Sequence, residues 1–379
     1  MPRTRAPRNF EVLSIRRRGF ETTRSPGTGD VAVSGRAASV FGSEPGSGAL
    51  VHGETFAVTG SDFGAKTGHD HRWDDASGNA PTDIWSYAWP YQASSSQNIG
   101  YRTPAALGRG VALPHNNITK YLCGCHAVDQ LFGGRNVLLG VDFTRANNLY
   151  SRWEWYCRLD PNWTLVSQAD NHKFYGIAQG SGSPYSGGSD GQQNWYLEFR
   201  GGSDFPNDFQ WHVNDDASGV GIDKWGNLSG AYGNDQADPR AQWVKRSILM
   251  RWHSSSSGGL LYAEADYQVM FNDVRKTDGY AGTARSEAIE GYSGGPHPNN
   301  WRYMADIYYD RGTNDAALYL TNHATWSSAT IKEIQPWSSW SDSSITAICN
   351  KGKLSSGTVH VHLRSIVNGN QYLGTRTVT

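Results

Sequence analysis

Hydrophobic and polar positions alternate with a period of two through several stretches of the chain. In Leu149–Asp160, Leu149, Ser151, Trp153, Trp155, Cys157 and Leu159 fall on one side, and Tyr150, Arg152, Glu154, Tyr156, Arg158 and Asp160 on the other. Period two is the geometry of a β-strand with one face on a core. Asn194–Arg200 repeats it, with Trp195, Leu197 and Phe199 inward and Tyr196, Glu198 and Arg200 outward. In Phe209–Val213 the outward positions are Gln210 and His212, and Ser247–His253 sets Ile248, Met250 and Trp252 against Ser247, Leu249, Arg251 and His253. The pattern predicts one sheet whose polar face is a groove lined with Tyr, Arg, Glu and His. It predicts a shared core for Trp153, Trp155, Trp195, Phe199, Trp211 and Trp252.

Further runs fill out the all-β expectation. Trp243–His253 and Leu260–Phe271 read as a hairpin joined by Ser254–Gly259, and Trp301–Asp310 with Ala317–Thr321 as closing strands. The expected organisation is a basic arm at 1–35, a first segment of a small β-module with its linker at 36–84, a large β-domain at 85–325, and the rest of the small module at 326–379. The two flanking pieces of that module carry matching patterns. Gly53, Phe56, Val58, Gly60, Phe63 and Gly64 form a strand ending in a glycine turn. At the far end, Val359, Val361 and Leu363 alternate with His360, His362 and Arg364. If the flanks form one module, the large domain is inserted in it, and Phe56 and Val58 should pack on Ile345, Val359 or Val361.

Composition agrees with many short strands joined by turns: 44 glycines, 15 tryptophans and 19 tyrosines in 379 residues. Lys and Arg number 34 against 35 Asp and Glu, so no global charge argues for nucleic acid or an anionic membrane as partner. No apolar run approaches the ~18 residues of a membrane span. Met1–Arg18 is basic, lacks the apolar stretch of a secretion signal and reads as no signal peptide. Arg3, Arg5, Arg8, Arg16, Arg17 and Arg18 are opposed there only by Glu11. Such an arm cannot bury enough apolar surface on its own; the expectation is that it lies across another chain of a homo-oligomer or other proteins of a particle, with virion or extracellular localisation.

Chemical motifs are sparse. Cys123-Gly-Cys125 has no second pair to complete a zinc site, and Cys157 lies on a predicted inward face. His69, Asp70, His71, Asp74 and Asp75 crowd into one short stretch without EF-hand spacing, and read as a polar turn beside Trp73. No metal or cofactor is therefore expected. No P-loop or HExxH motif occurs. What remains is the polar strand face. Aromatic rings cover the apolar faces of sugars, and Arg offers a two-pronged donor to carboxylates. Tyr150, Arg152, Glu154, Tyr156, Tyr196, Glu198, Arg200, His212, Arg251 and His253 are thus the candidate glycan contacts. The bland alternative is an ordinary solvated sandwich face.

The stretches Tyr150–Tyr156, His172–Gly176, Trp195–Arg200 and Trp243–Trp252 resemble the strands of concanavalin-type jelly rolls, the fold of polysaccharide lyases and laminarinase-like proteins. The glycine-bounded strand near Phe56, with Trp340–Thr346 and Gly357–Leu363, resembles IPT/TIG-type immunoglobulin-like modules. The expected fold class is therefore an all-β jelly-roll β-sandwich plus a small immunoglobulin-like β-module. The lyase resemblance implies a Tyr or His base and a Gln, Asn or Arg that neutralises a uronate carboxylate, for which Tyr156, Tyr196, His212, Lys173 and Arg200 are candidates. The Glu-x-Asp-x-x-Glu run of laminarinase-like hydrolases is absent, although Glu154 and Glu198 are a candidate carboxylate pair if their strands are neighbours. Two functions follow: a structural or adhesion protein of a particle surface with a glycan-recognising jelly roll, or a polysaccharide lyase or glycoside hydrolase.

Overall fold

The computed structural model describes residues 48–89, 99–125, 138–163, 171–179, 193–201, 209–214, 224–225, 239–255, 257–275, 277, 284–289 and 301–379. At 87, 89, 138, 171–173, 178–179, 193–201, 209–214, 224–225, 271, 273 and 275 only the backbone is described. The basic arm at 1–35 lies outside the described residues.

In chain order the strands are β1 (Thr55–Thr59), β2 (Asp70–Asp74), β3 (Tyr87–Trp89), β4 (Gly100–Arg102), β5 (Tyr121–Cys125), β6 (Leu138–Thr144), β7 (Tyr150–Leu159) and β8 (Asn171–Gln179). There follow β9 (Gln193–Gly201), β10 (Phe209–Asn214), β11 (Lys224–Trp225), β12 (Val244–Arg251), β13 (Gly259–Ala265), β14 (Gln268–Arg275), β15 (Ala284–Ile289) and β16 (Trp301–Gly312). The last six are β17 (Ala317–Thr321), β18 (Lys332–Ile334), β19 (Trp337–Trp340), β20 (Ser344–Ile348), β21 (Gly357–Ser365) and β22 (Gly369–Val378). All strand pairs between these elements are antiparallel, and the protein is an all-β jelly-roll sandwich carrying a smaller β-sandwich.

The large sandwich has a seven-stranded sheet, β11-β10-β9-β8-β15-β6-β3, facing an eight-stranded one, β14-β13-β12-β7-β16-β5-β4 with β2 also on β16. One core joins them. Trp153, Trp155, Ile248, Met250 and Trp252 from the eight-stranded sheet meet Val141, Phe143, Tyr175 and Ile177 from the seven-stranded one. Trp85 stacks on Trp153 at 5.3 Å and Phe143 meets Trp252 edge-on at 5.1 Å. Aromatic pairs of this kind add ~0.5–1.5 kcal/mol each beyond their buried area. The side chains of Trp195, Phe199 and Trp211, expected in the same core, lie outside the described residues.

The smaller sandwich closes the chain on itself. β1 pairs with β20, setting Phe56 against Ala347 and Val58 against Ile345. The sheet β1-β20-β19 and the sheet β18-β17-β21-β22 share a core of Phe56, Val58, Leu318, Leu320, Ile345, Val359, Val361 and Leu363. Residues before and after the jelly roll therefore build one folded unit, and the jelly roll is inserted in it. Two local expectations are corrected. Ala317–Thr321 does not close the large sandwich: its alternation suits either core equally, and it pairs with β18 and β21. Leu260–Phe271 is two strands, because Asp266 and Tyr267 turn the chain with φ of 44° and 67°. Consecutive left-handed residues match the twist of a two-residue hairpin turn, which normally selects Asn or Gly.

Candidate functional site

The polar face of β7 is not a groove. Arg152, Glu154 and Tyr156 are 2%, 1% and 1% exposed, because the small sandwich lies on them. Arg152 donates from Nη2 to the Asp315 carbonyl at 2.8 Å and from Nη1 to Tyr319 Oη at 3.3 Å. The Tyr319 hydroxyl donates to Glu154. Tyr156 donates to Glu333 Oε1 at 2.5 Å, and Lys245 Nζ reaches Glu333 Oε2 at 2.9 Å and the Lys332 carbonyl at 2.7 Å. Farther along, Arg364 grips Glu264 through both nitrogens, at 2.9 and 2.5 Å, and Tyr262 Oη at 2.9 Å. Lys66 and His69 converge on Asp310, the histidine at 2.8 Å.

Burial and pairing compete at this junction, and pairing wins. Burial opposes ionisation of Glu264, yet Arg364 beside it holds the carboxyl below its usual range. Burial likewise works against Asp310, and Lys66 with His69 more than offsets it, so that carboxyl is also lowered. Burial works against the Lys245 ammonium, but Glu333 raises its pKa above the ordinary lysine value. Burial, then the Glu333 charge, drives the Tyr156 phenol far up, so it is no proton acceptor at neutral pH. The expected roles of Arg152, Glu154 and Tyr156 as solvent-facing glycan contacts are thus corrected, since all three are junction groups; Tyr150 and Arg251, both half-buried, pair in register, and Tyr150 packs beside the Leu249, Tyr262 and Ile366 cluster. His253 lies just past β12, where its Nδ1 accepts from the Ser255 amide at 3.0 Å.

The expected single sheet is in fact two. β7 and β12 belong to the eight-stranded sheet, and β9 and β10 to the seven-stranded one. Glu154 and Glu198 therefore sit in opposite layers and cannot form the carboxylate pair. On the seven-stranded sheet, however, the remaining candidates come together in register. Lys173 pairs with Glu198, and Glu198 with His212. Asn171 pairs with Arg200, and Arg200 with Gln210. A third row crosses six strands: Tyr87, Gly140, Ala288, Gly176, Tyr196 and Asn214. Between its two tyrosines run Gly140, Ala288 and Gly176, a floor about 19 Å across at ~4.8 Å per strand. Gly140, Gly176 and Ala288 are buried.

Asn171 and Gln210 were not among the expected site residues; only their register marks them. Lys245, Glu333, Glu264 and Asp315 were also missed, because nothing in a strand pattern names the layer that covers it. A partial signal existed in His360, His362 and Arg364, whose alternation gave β21 its own polar face: His362 and Arg364 prove to be buried. The crowded His/Asp stretch disperses. His69 turns to Asp310, His71 stacks on Trp337 at 4.6 Å, and Asp74 accepts from Trp85 Nε1 at 2.8 Å and Tyr101 Oη at 2.7 Å. Burial lowers the His71 pKa to about 4.

No protein-family model matches the chain, and no curated protein matches it. Solved structures with a similar layout include an endo-β-1,4-glucuronan lyase from the fungus Trichoderma reesei, with TM-score 0.41, 10% identity and coverage of 63% of this chain and 94% of that one. The alginate lyase Aly36B matches with TM-score 0.39, 8% identity and coverage of 64% and 96%. An endo-1,3-β-glucanase from Streptomyces sioyaensis gives 0.34, 11%, 65% and 97%. These neighbours are jelly-roll proteins of polysaccharide chemistry. At such identities and scores the likeness is one of strand layout and assigns no activity to this chain.

Proposed function

We propose that this protein binds an acidic polysaccharide along the seven-stranded sheet and cleaves it by β-elimination. The observation that carries this is the cross-strand register, which groups Lys173, Glu198 and His212 beside Asn171, Arg200 and Gln210, with Tyr196 one step further along its strand. Residues two apart on a strand share a face, so the rows form one surface. Its residue types suit elimination next to a uronate carboxyl. Arg200, with Asn171 and Gln210, neutralises the carboxylate and acidifies the adjoining C–H. His212 removes that proton, a C=C bond forms, the C–O bond to the departing sugar breaks, and Tyr196 delivers a proton to the leaving oxygen.

Incubation with uronate polymers such as glucuronan and alginate tests this. Ultraviolet absorbance from unsaturated ends should appear, and Arg200→Ala should remove it. Reducing ends without that absorbance would mean hydrolysis. Binding with no cleavage of any polymer would sink the enzymatic reading and favour the particle-surface adhesin, for which the arm at 1–35 would carry assembly.

A further inference from the structure

A second pocket opens at the seam between the two sandwiches, on the opposite side of the jelly roll from the seven-stranded sheet. It has a volume of about 200 Å³ and is lined by Tyr156, Trp243, Lys245, Asp266, Tyr267 and Lys353 among others. That is below the ~300–1,000 Å³ of sites for drug-sized ligands, so it suits one small ring.

The lining is chemically specific. Lys245 is satisfied, by Glu333 and the Lys332 carbonyl. Lys353 is not: its ammonium lies 4.5 Å over the Tyr156 ring, and among the described residues no acceptor stands within hydrogen-bonding reach of it. Burial lowers its pKa, with the charge of Asp266 opposing that shift. A half-buried ammonium over a ring face, with the charges of Asp266 and Glu333 nearby but not in hydrogen-bonding reach, gains a charge-assisted bond from any carboxylate that enters. Asp266 has one oxygen engaged by the Lys245 amide at 2.8 Å, which leaves the other for hydroxyl donors. The Tyr267 ring is fixed, because its hydroxyl donates to the Lys332 carbonyl at 2.6 Å and accepts from the Lys332 amide at 3.0 Å. Asp266 and Tyr267 both occupy the left-handed region, at φ 44° and 67°.

We infer that this seam pocket is a second saccharide site, which takes a single carboxylate-bearing sugar unit against Trp243 and Tyr267, with its carboxylate on Lys353. It is separate from the seven-stranded sheet and does not depend on cleavage there. The ligand could reach it as the end of a chain or as a free sugar acid.

Calorimetric titration of the full chain with sodium glucuronate, a glucuronate tetrasaccharide and glucose tests this. Glucuronate should bind saturably, and Lys353→Met should weaken it at least about tenfold, the loss expected for a charge-assisted contact. Thr330→Trp, at an exposed position on the lining, should block the pocket without touching its charges and provides the check if Lys353→Met does not fold. Arg200→Ala should leave the Lys353-dependent component of glucuronate binding unchanged, which separates this site from the seven-stranded sheet. Tetrasaccharide binding that is also lost in Thr330→Trp assigns the site to chain ends; binding of glucuronate alone assigns it to free sugar acids. The assignment is overturned by no saturable binding, by glucose binding as tightly as glucuronate, or by glucuronate binding that Arg200→Ala abolishes and both seam variants leave intact.

Discussion

The two sheets of the jelly roll begin from the same kind of strand and end differently. Both alternate aromatic residues with Tyr, Arg, Glu or His. On the eight-stranded sheet, the polar side of β7 and β12 is sealed under the small sandwich, and its charges are spent on Glu333, Asp315 and Tyr319. On the seven-stranded sheet, the polar positions of β8, β9 and β10 line up with one another. A polar strand face is thus half of a buried ionic seam in one sheet and a set of aligned polar positions in the other, and the strand pattern alone does not distinguish them.

The sharpest way to break this comparison is to exchange the consequences of one substitution on each face. His212→Ala should cut turnover of an acidic polysaccharide by about 10²–10⁴-fold, the usual worth of a general base, with melting unchanged. Tyr156→Phe should leave turnover alone. Equal losses of turnover from both would mean that the seam, and not the seven-stranded sheet, holds the chemistry.

Next in size is the seam's stability. Arg364→Ala strands Glu264 in a site where Arg364 is 1% exposed. Removing one partner of a buried ion pair typically costs about 3–5 kcal/mol, measurable by urea unfolding. A loss under about 1 kcal/mol would mean that water reaches the seam.

The response to pH should differ in sign between seam and core. Glu264 and Asp310 have lowered folded pKa values. Their contribution is present above the unfolded carboxyl values near ~4 and is lost as pH falls through the folded ones. Glu287 sits between the sheets, accepting from Tyr175 Oη at 2.9 Å and Trp153 Nε1 at 3.3 Å. Burial raises its pKa, so its contribution is present below the unfolded value and is lost as pH rises through the folded one. Glu287→Gln should therefore flatten the alkaline side of the stability profile and leave the acid side unchanged. Thermal melts across pH would check both limbs.

The smallest effects sharpen the same contrast. Tyr156→Phe should cost about 1–2 kcal/mol, since Glu333 keeps Lys245 and the Lys353 amide as donors. Arg72→Ala, which breaks a partly exposed pair with Asp70 at 3.0 Å, should cost less than about 1 kcal/mol.

Much of the architecture was legible in the order of residues. The inward set Trp153, Trp155, Ile248, Met250 and Trp252 follows from period two alone, because successive side chains on a strand must point to opposite faces. Phe56 and Val58 at one end of the chain and Ile345, Val359 and Val361 at the other carry the marks of one small core, and they share it. Alternation is a local property, however. It assigns a residue to a face and stays silent on which sheet the strand joins, which is why Glu154 and Glu198 looked like neighbours. It is equally silent on what covers that face, so the arginines and tyrosines of β7 looked solvent-facing. Sheet membership depends on hydrogen bonds between strands far apart in sequence, and the seam depends on two sandwiches meeting. Those are long-range choices, made by whichever packing leaves the fewest buried charges without a partner, and only the tertiary structure decided them.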